Sequence, residues 1–339
     1  MALTKKIAVD LFGAGDISEM IRACVIYSNA RDDIELHLAG DFVTLSEALA
    51  EHNYESSRIV IVPATATISR DEDPLLAVMT KRSSSLTTAV EIAKDKSFAG
   101  VISVGSPRAL YFACAGFFGL FNGLKAPTLA TLLPTHQEKY AILLDSGLNV
   151  DITVEDFVRY ALLGVALSES CGIEYPSVAL ITPDGNEKVI GRVPGQLNER
   201  LKRLPIVYSG CVSASEALSG KYDVLIGDGM TGSALLGGID STALFIATRL
   251  CAHLKTLLPD EFDPVLVDRA TEQSLDHIRQ SLRQGAVMLG VKKPIVIIQD
   301  DRSEQAMLNA FRMVLNMHSN YYERRMSAMA SLADLVLNE

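Results

Sequence analysis

The chain has 339 residues, 48% hydrophobic and 21% charged, and its 31 Lys and Arg against 41 Asp and Glu leave a formal net charge of -10. That is enough apolar material for one large α/β core, and the acidity argues against a nucleic-acid partner, which needs a concentrated basic surface. The N-terminus runs from two lysines into a short apolar strand and a Gly turn, unlike a secretory leader, and no run approaches about 18 uninterrupted apolar residues, so a cytoplasmic chain without a bilayer span, with at most peripheral membrane contact, is expected.

In chain order, strand-length apolar runs fall at 7–12, 34–40, 58–63, 100–105, 140–147, 177–183, 222–229 and 294–300. Helical patterns lie between them: ISEMIRACVIYSN, TLSEALAEH, SSLTTAVEIAKD, the stretch 154–171 and AMLNAFRMVLNMH. Such alternation predicts parallel βαβ units. No fixed-period repeat, low-complexity tract or linker interrupts it, so 1–339 reads as a single α/β domain. From Ser233 to Gly285 the alternation gives way to two helices with no strand between them. That excursion suits packing on a partner subunit, a lid over a site, or plain core packing. The five cysteines (Cys24, Cys114, Cys171, Cys211 and Cys251) lack CxxC spacing and read as reduced, packed thiols.

Ligands of open parallel sheets bind where strands end and helices begin, because backbone N–H groups and the helix dipole converge there. Five turns qualify. In DLFGAGDIS, Gly13 and Gly15 allow a tight turn and Asp16 or Ser18 caps the next helix, while Ser18 breaks a GxGxxG dinucleotide pattern. In GSPRA, Gly105 and Ser106 open a Pro-initiated helix and Arg108 adds a cation suited to bidentate phosphate contact; the same residues also fit an ordinary helix start with a solvated Arg. In DSGLNVD, Asp145 ends a strongly apolar strand where an unpaired carboxylate is costly, Asn149 and Asp151 follow, and Thr153 is a cap for the helix from Val154. The loop 182–201 carries Lys188 and Arg192, suited to phosphate capture or to an exposed hairpin. In IGDGMTGSALLGG, Asp228, Gly229, Gly232 and Ser233 lead into a helix and could line an anion pocket.

These segments together resemble the phosphate acyltransferase (PlsX-like) family of phospholipid and fatty acid synthesis. The likeness runs from Ile7 to about Asn316 and rests on IAVD, DPLLAVMTKRSSSLTTAVEIAK, APTLATLLPT, LLDSGLNVD, YDVLIGDGMTGSALL and MLGVKKPIVII. It implies a three-layer α/β/α fold with a mostly parallel sheet, like isocitrate dehydrogenase and phosphotransacetylase, and a homodimer using neither metal nor cofactor, with the helices at about 233–285 projecting toward the dimer interface. It also implies transfer of an acyl group between an acyl carrier protein or coenzyme A thioester and inorganic phosphate. On this resemblance Lys81, Arg82, Ser83, Ser84, Asp145, Asn149, Asp151 and Asp228 occupy family site positions.

The chain departs from the family pattern at several turns. GAGD stands for GGD, and GSPRA for GNTGA. Lys188 is the nearest counterpart of a loop lysine, Ser233 and Gly237 replace an Asn and a Lys, and Asp300 and Asp301 replace a His-Gly pair. The expected assignment is therefore Lys188, Ser233 and Asp145 in catalysis. Substrate binding falls to Gly13, Gly15, Asp16, Lys81, Arg82, Ser83, Ser84, Gly105, Ser106, Arg108, Asn149, Asp151, Arg192, Asp228 and Gly229, with the turns after Ser106, Asp145 and Gly229 gathered around phosphate. The rival reading is a catalytically degenerate paralogue acting as a binding or regulatory dimer partner.

Overall fold

The computed structural model describes residues 4–12, 15–137, 139–182, 185, 196–257, 263–282, 285–298 and 303–337. Lys188, Arg192, Gly13, Asp300 and Asp301 lie outside them. Eleven strands form one sheet: β1 (Lys5–Asp10), β2 (Ile34–Gly40), β3 (Ile59–Pro63), β4 (Phe98–Ser103), β5 (Thr128–Pro134), β6 (Tyr140–Leu144), β7 (Ser177–Ile181), β8 (Val207–Val212), β9 (Val224–Ile226), β10 (Ala286–Leu289) and β11 (Ile295–Ile297). Their spatial order is β3-β2-β1-β4-β11-β10-β5-β6-β9-β7-β8.

The sheet is parallel on each side and reverses in the middle. Pairings β11–β10, β10–β5 and β5–β6 are antiparallel. Three reversals are an odd number, so the strands of the first lobe (β1 to β4 with β11) run opposite to those of the second (β6 to β9). Strand residues alternate between two apolar layers. Ile7, Val9, Leu36, Leu38 and Ile142 face one cluster, while Ala8, Ala39, Val101 and Ile295 face another.

Helices cover both faces. The first layer receives α1 (Ser18–Asn29), α2 (Phe42–Ala50), α6 (Val154–Ser170), α7 (Gln196–Arg203), α11 (Glu304–Ser319) and α12 (Tyr322–Leu337). The second receives α3 (Pro74–Thr80), α4 (Ser85–Ile92) and α5 (Pro107–Phe118) over the first lobe, and α8 (Ala214–Ala217) with the start of α9 (Gly229–Leu257) over the second. α6 starts where Thr153 and Asp156 form a reciprocal capping box, the Thr153 amide donating to Asp156 Oδ2 at 2.9 Å. This is the cap expected from the sequence, and it explains why the chain turns sharply after Asp151.

The strand-free segment is a helical hairpin. α9 packs against α10 (Pro264–Leu282), with Lys255 Nζ paired to Asp268 at 2.6 Å. Within α9 only Gly229 and Gly232 are buried. By length and composition alone α9 is also apolar enough to cross a bilayer, with mean hydropathy 1.3 over its most apolar window. Counting uninterrupted apolar residues missed this, because Asp240 and Arg249 divide the run.

Close backbone approach between β4 and β11 depends on Gly100, where an added Cβ would lie 2.4 Å from the Pro294 carbonyl oxygen and 2.8 Å from Val314 Cγ1. Gly100→Ala is expected to destabilise the fold by about 1–3 kcal/mol or more, read as a lowered urea midpoint with unchanged slope.

Candidate active site

Two polar turn clusters stand at strand ends, one in each lobe. In the first lobe Asp10 ends β1 and is fully buried. Ser103 Oγ donates to Asp10 Oδ2 at 2.7 Å, and the Gly105 amide donates to Ser103 Oγ at 3.0 Å. The Phe12 amide donates to Asp10 Oδ1 at 3.2 Å, and Ser85 adds a side-chain hydrogen bond. Burial pushes the Asp10 carboxyl up to about 6 despite these donors. Asp10, Ser85 and Ser103 were not among the residues the sequence singled out. A carboxylate ending an apolar strand was the available signal, the same one that marked Asp145.

Around this hub the expected residues divide. Ser106 caps α5, accepting from the Ala109 amide, with Pro107 in the first turn. Arg108 is exposed in that turn and makes no hydrogen bond or ion pair with a described residue. Asp16 accepts from the Ser18 amide and hydroxyl at 2.9 and 2.6 Å, which hold its carboxyl below the usual range; Gly15 precedes it with φ +63°. Ser84 caps α4 and is buried, and Ser83 accepts from Thr65, at its hydroxyl from the Thr65 hydroxyl and at its carbonyl from the Thr65 amide, both at 3.0 Å. Lys81 is spent on Glu72 at 2.7 Å and the Thr67 carbonyl at 3.0 Å, whereas Arg82 is exposed.

The second cluster locks two turns together. Asp145, fully buried, accepts at Oδ1 from the Gly147 and Leu148 amides, both at 2.9 Å, and at Oδ2 from the Asn149 amide at 3.0 Å and Asn149 Nδ2 at 2.7 Å. Burial holds its pKa above the ordinary carboxylate value against the pull of these donors. The peptide bond between Leu144 and Asp145 is cis. Asn149 Nδ2 also reaches the Pro127 carbonyl at 2.7 Å, and the Asn149 carbonyl accepts from the Gly229 amide at 2.7 Å. Asp228 Oδ1 accepts from the Thr231 amide at 2.6 Å at the head of α9. Only glycine fits at 232, where a Cβ would stand 1.9 Å from the Asp145 carbonyl oxygen. Ser233 is exposed directly over Gly147, and Asp151 lies exposed just beyond.

Asp145 thus organises its turn with a carboxylate whose acceptor sites are taken up locally. At this end the Ser233 hydroxyl is exposed, whereas the Gly147, Leu148 and Asn149 amides are committed to Asp145. Nearby, burial and the charges of Asp145, Asp156 and Tyr111 push the Tyr160 phenol up. Among the described residues no group of three or more His, Cys, Asp or Glu is arranged to hold a metal ion.

Whether the turns after Ser106, Asp145 and Gly229 gather around one phosphate depends on how the ends of β4 and β6 lie across the sheet. The two strands run in opposite directions, but the register sets Ser103 in one row with Ile297, Ala286, Thr131 and Leu143, so both strands end near that row. A link between the two clusters runs along α5. Leu148, of the Asp145 turn, is buried in the same apolar cluster as Leu110, Ala113 and Cys114.

The profile of the fatty acid synthesis protein family matches residues 5–325. The chain belongs to this family, that of the PlsX-like phosphate acyltransferases. A phosphate acyltransferase of Bacillus licheniformis is 30% identical over 321 residues, covering 93% of this chain and 94% of that protein. One from Syntrophomonas wolfei is 28% identical over 313 residues, with 91% and 93% covered. Among solved structures, a phosphotransacetylase from Streptococcus pyogenes superposes with a TM-score of 0.60 at 12% identity, covering 93% of this chain and 94% of that one. A branched-chain phosphotransacylase from Enterococcus faecalis gives 0.56 at 11% identity, covering 93% and 99%. These two likenesses are of fold, and they agree with the three-layer architecture expected for the phosphate acyltransferase family.

The two buried carboxylates differ in a way that mutation will expose. Two of the partners of Asp10 are hydroxyls, which can rotate to accept from an amide; every partner of Asp145 is an N–H donor, which cannot. Because the folded pKa of Asp10 is raised from 3.8 to about 6, its stabilising contribution is complete below about pH 4 and is lost as pH rises through 6, in all about 3 kcal/mol. Asp10→Asn is therefore expected to be more stable than wild type at pH 8 and to lose that advantage at pH 4. Asp145→Asn turns an amide against N–H donors and should destabilise at pH 8 by about 1–3 kcal/mol. Urea unfolding at both pH values reads the two signs.

Proposed function

We propose that this chain is a phosphate acyltransferase, moving an acyl group between the thioester of an acyl carrier protein or coenzyme A and inorganic phosphate. The observation that carries this reading is the interlocked pair of turns at the head of α9, in a chain matched to the family along nearly its whole length. The exposed Ser233 hydroxyl, beside Gly147, and the positive end of a 29-residue helix lie together there. Phosphate bound at that point attacks the thioester carbonyl carbon. A C–O bond forms, the C–S bond breaks, and the thiolate leaves to take a proton. Catalysis is then positioning and electrostatic stabilisation of the carbonyl oxygen, without a covalent enzyme intermediate, and Lys188 on its loop is the cation assigned to that oxygen.

Ser106 and Arg108, at the first cluster, are assigned a different anion from the one expected. Both carrier protein and coenzyme A thioesters present a pantetheine arm that ends in a phosphate, and a capped helix start beside an uncommitted guanidinium suits it. The α9–α10 hairpin is assigned to a homodimer, because Leu244, Phe245, Ile246 and Leu250 of α9 are 42–66% exposed.

Purified protein given an acyl thioester should release thiol only when phosphate is present, with hydroxylamine trapping the acyl phosphate. Absence of phosphate-dependent release with both donor types would favour the degenerate-paralogue reading. Arg108→Ala should raise the KM for the thioester roughly ten- to a hundredfold and leave that for phosphate unchanged, whereas Ser233→Ala should raise the KM for phosphate about two- to tenfold. Light scattering should give twice the 36.7 kDa of the chain. A 36.7 kDa particle at every dilution would remove the dimer.

A further inference from the structure

A groove of about 440 Å³ opens between α3, α4 and α5, a size within the range of roughly 300–1,000 Å³ usual for small-molecule sites. Its walls are apolar: Leu75, Val78 and Met79 from α3, Phe112 and Phe117 from α5. Leu75 and Met79 are 48% and 64% exposed, a cost the fold does not require at two positions facing one hollow. Its floor includes Gly116, in the interior of α5, where an added Cβ would meet nothing within 4 Å. Glycine is the poorest helix former after proline. No close packing partner accounts for it here, and its effect is to keep the groove open.

The groove adjoins the start of α4, where Arg82 and Thr87 line one part of it and Thr87 is hydrogen-bonded to Ser84. Val78 and Phe117 pack on the extended apolar cluster that also holds Leu148 of the Asp145 turn. A ligand lying here therefore has one end near Ser84, next to Ser85 of the first turn cluster.

We propose that this groove holds the hydrocarbon tail of a fatty acyl substrate and thereby sets acyl chain length, an inference that rests on the acyl-transfer reading above. Largely apolar walls and a polar end at Arg82 and Thr87 suit a flexible alkyl chain with a polar head. Each methylene buried there strengthens binding about fourfold, so a site of this volume separates long from short acyl groups.

Gly116→Leu adds bulk to the groove at an exposed position where a Cβ meets nothing within 4 Å and replaces a weak helix former with a strong one, so the fold is retained; Met79→Glu puts a charge on the exposed wall as an independent perturbation. Both are compared with wild type in phosphate-dependent thiol release from acyl coenzyme A donors of increasing chain length. In each variant kcat/KM for long-chain donors should fall at least tenfold, with short-chain donors within about twofold of wild type. A uniform fall, or none, overturns the proposal. If wild type transfers no acyl group to phosphate, the functional reading fails, and calorimetry with an unreactive long-chain thioether of coenzyme A judges the groove separately. Binding by wild type that Gly116→Leu weakens at least tenfold supports it. Equal binding by both, or binding by neither, overturns it.

Discussion

Backbone polarity in the middle of the sheet decides where every loop of this protein goes. β10 and β5 run against their neighbours, so strands of the two lobes run in opposite directions, and the register sets the C-terminal ends of β4 and β6 near one row of the sheet. A wholly parallel sheet would have lined all the Gly-rich turns along one rim, as the doubly wound folds do. Here the Asp10 and Asp145 clusters end strands of opposite direction, and the apolar cluster that includes α5 also buries Leu148 of the Asp145 turn.

Each cluster is built on a buried carboxylate, with different consequences. Around Asp145 four N–H donors converge on one side chain, which ties residues 145–149 into a compact turn. Gly229 and Gly232 then dock α9 on that turn through a backbone hydrogen bond and a contact too close for any Cβ. The head of α9 thereby inherits its position from Asp145. Asp10 is held more loosely by two hydroxyls and one amide, and burial is the stronger influence on its proton.

The helical hairpin shows how an exposed apolar surface is tolerated. Beyond its first turns α9 leaves the sheet and touches mainly α10, so its apolar side faces outward. Large exposed apolar surfaces of this kind mark association in folded proteins. On this hairpin Lys255 and Asp268 are paired near the tip.

Much of the fold was legible in the sequence. Strands with long apolar runs, such as 34–40 and 100–105, announce themselves because burial on both faces demands continuous hydrophobicity. Thr153 announced its helix, since a capping box is a local hydrogen-bond pattern. Strands β5, β8 and β10 were missed: the first ends on Pro134, the second is a Gly- and Ser-bearing edge strand, and the third has only four residues. The first and third carry the polarity reversal, so their omission hid the change of strand direction. Asp145 was marked by its cost at the end of an apolar strand, yet the same argument was not applied to Asp10. Composition, periodicity and local caps by themselves determined the α/β class and the helical excursion, because these depend on neighbouring residues along the chain, while the family resemblance rested on the turn and strand motifs taken together. Which turns meet, which carboxylates are consumed by their own loops and which cations stay free were decided only by the tertiary structure, because those contacts join residues as far apart as Asp10 and Ser103 or Asn149 and Gly229, whose meeting depends on strand order and direction.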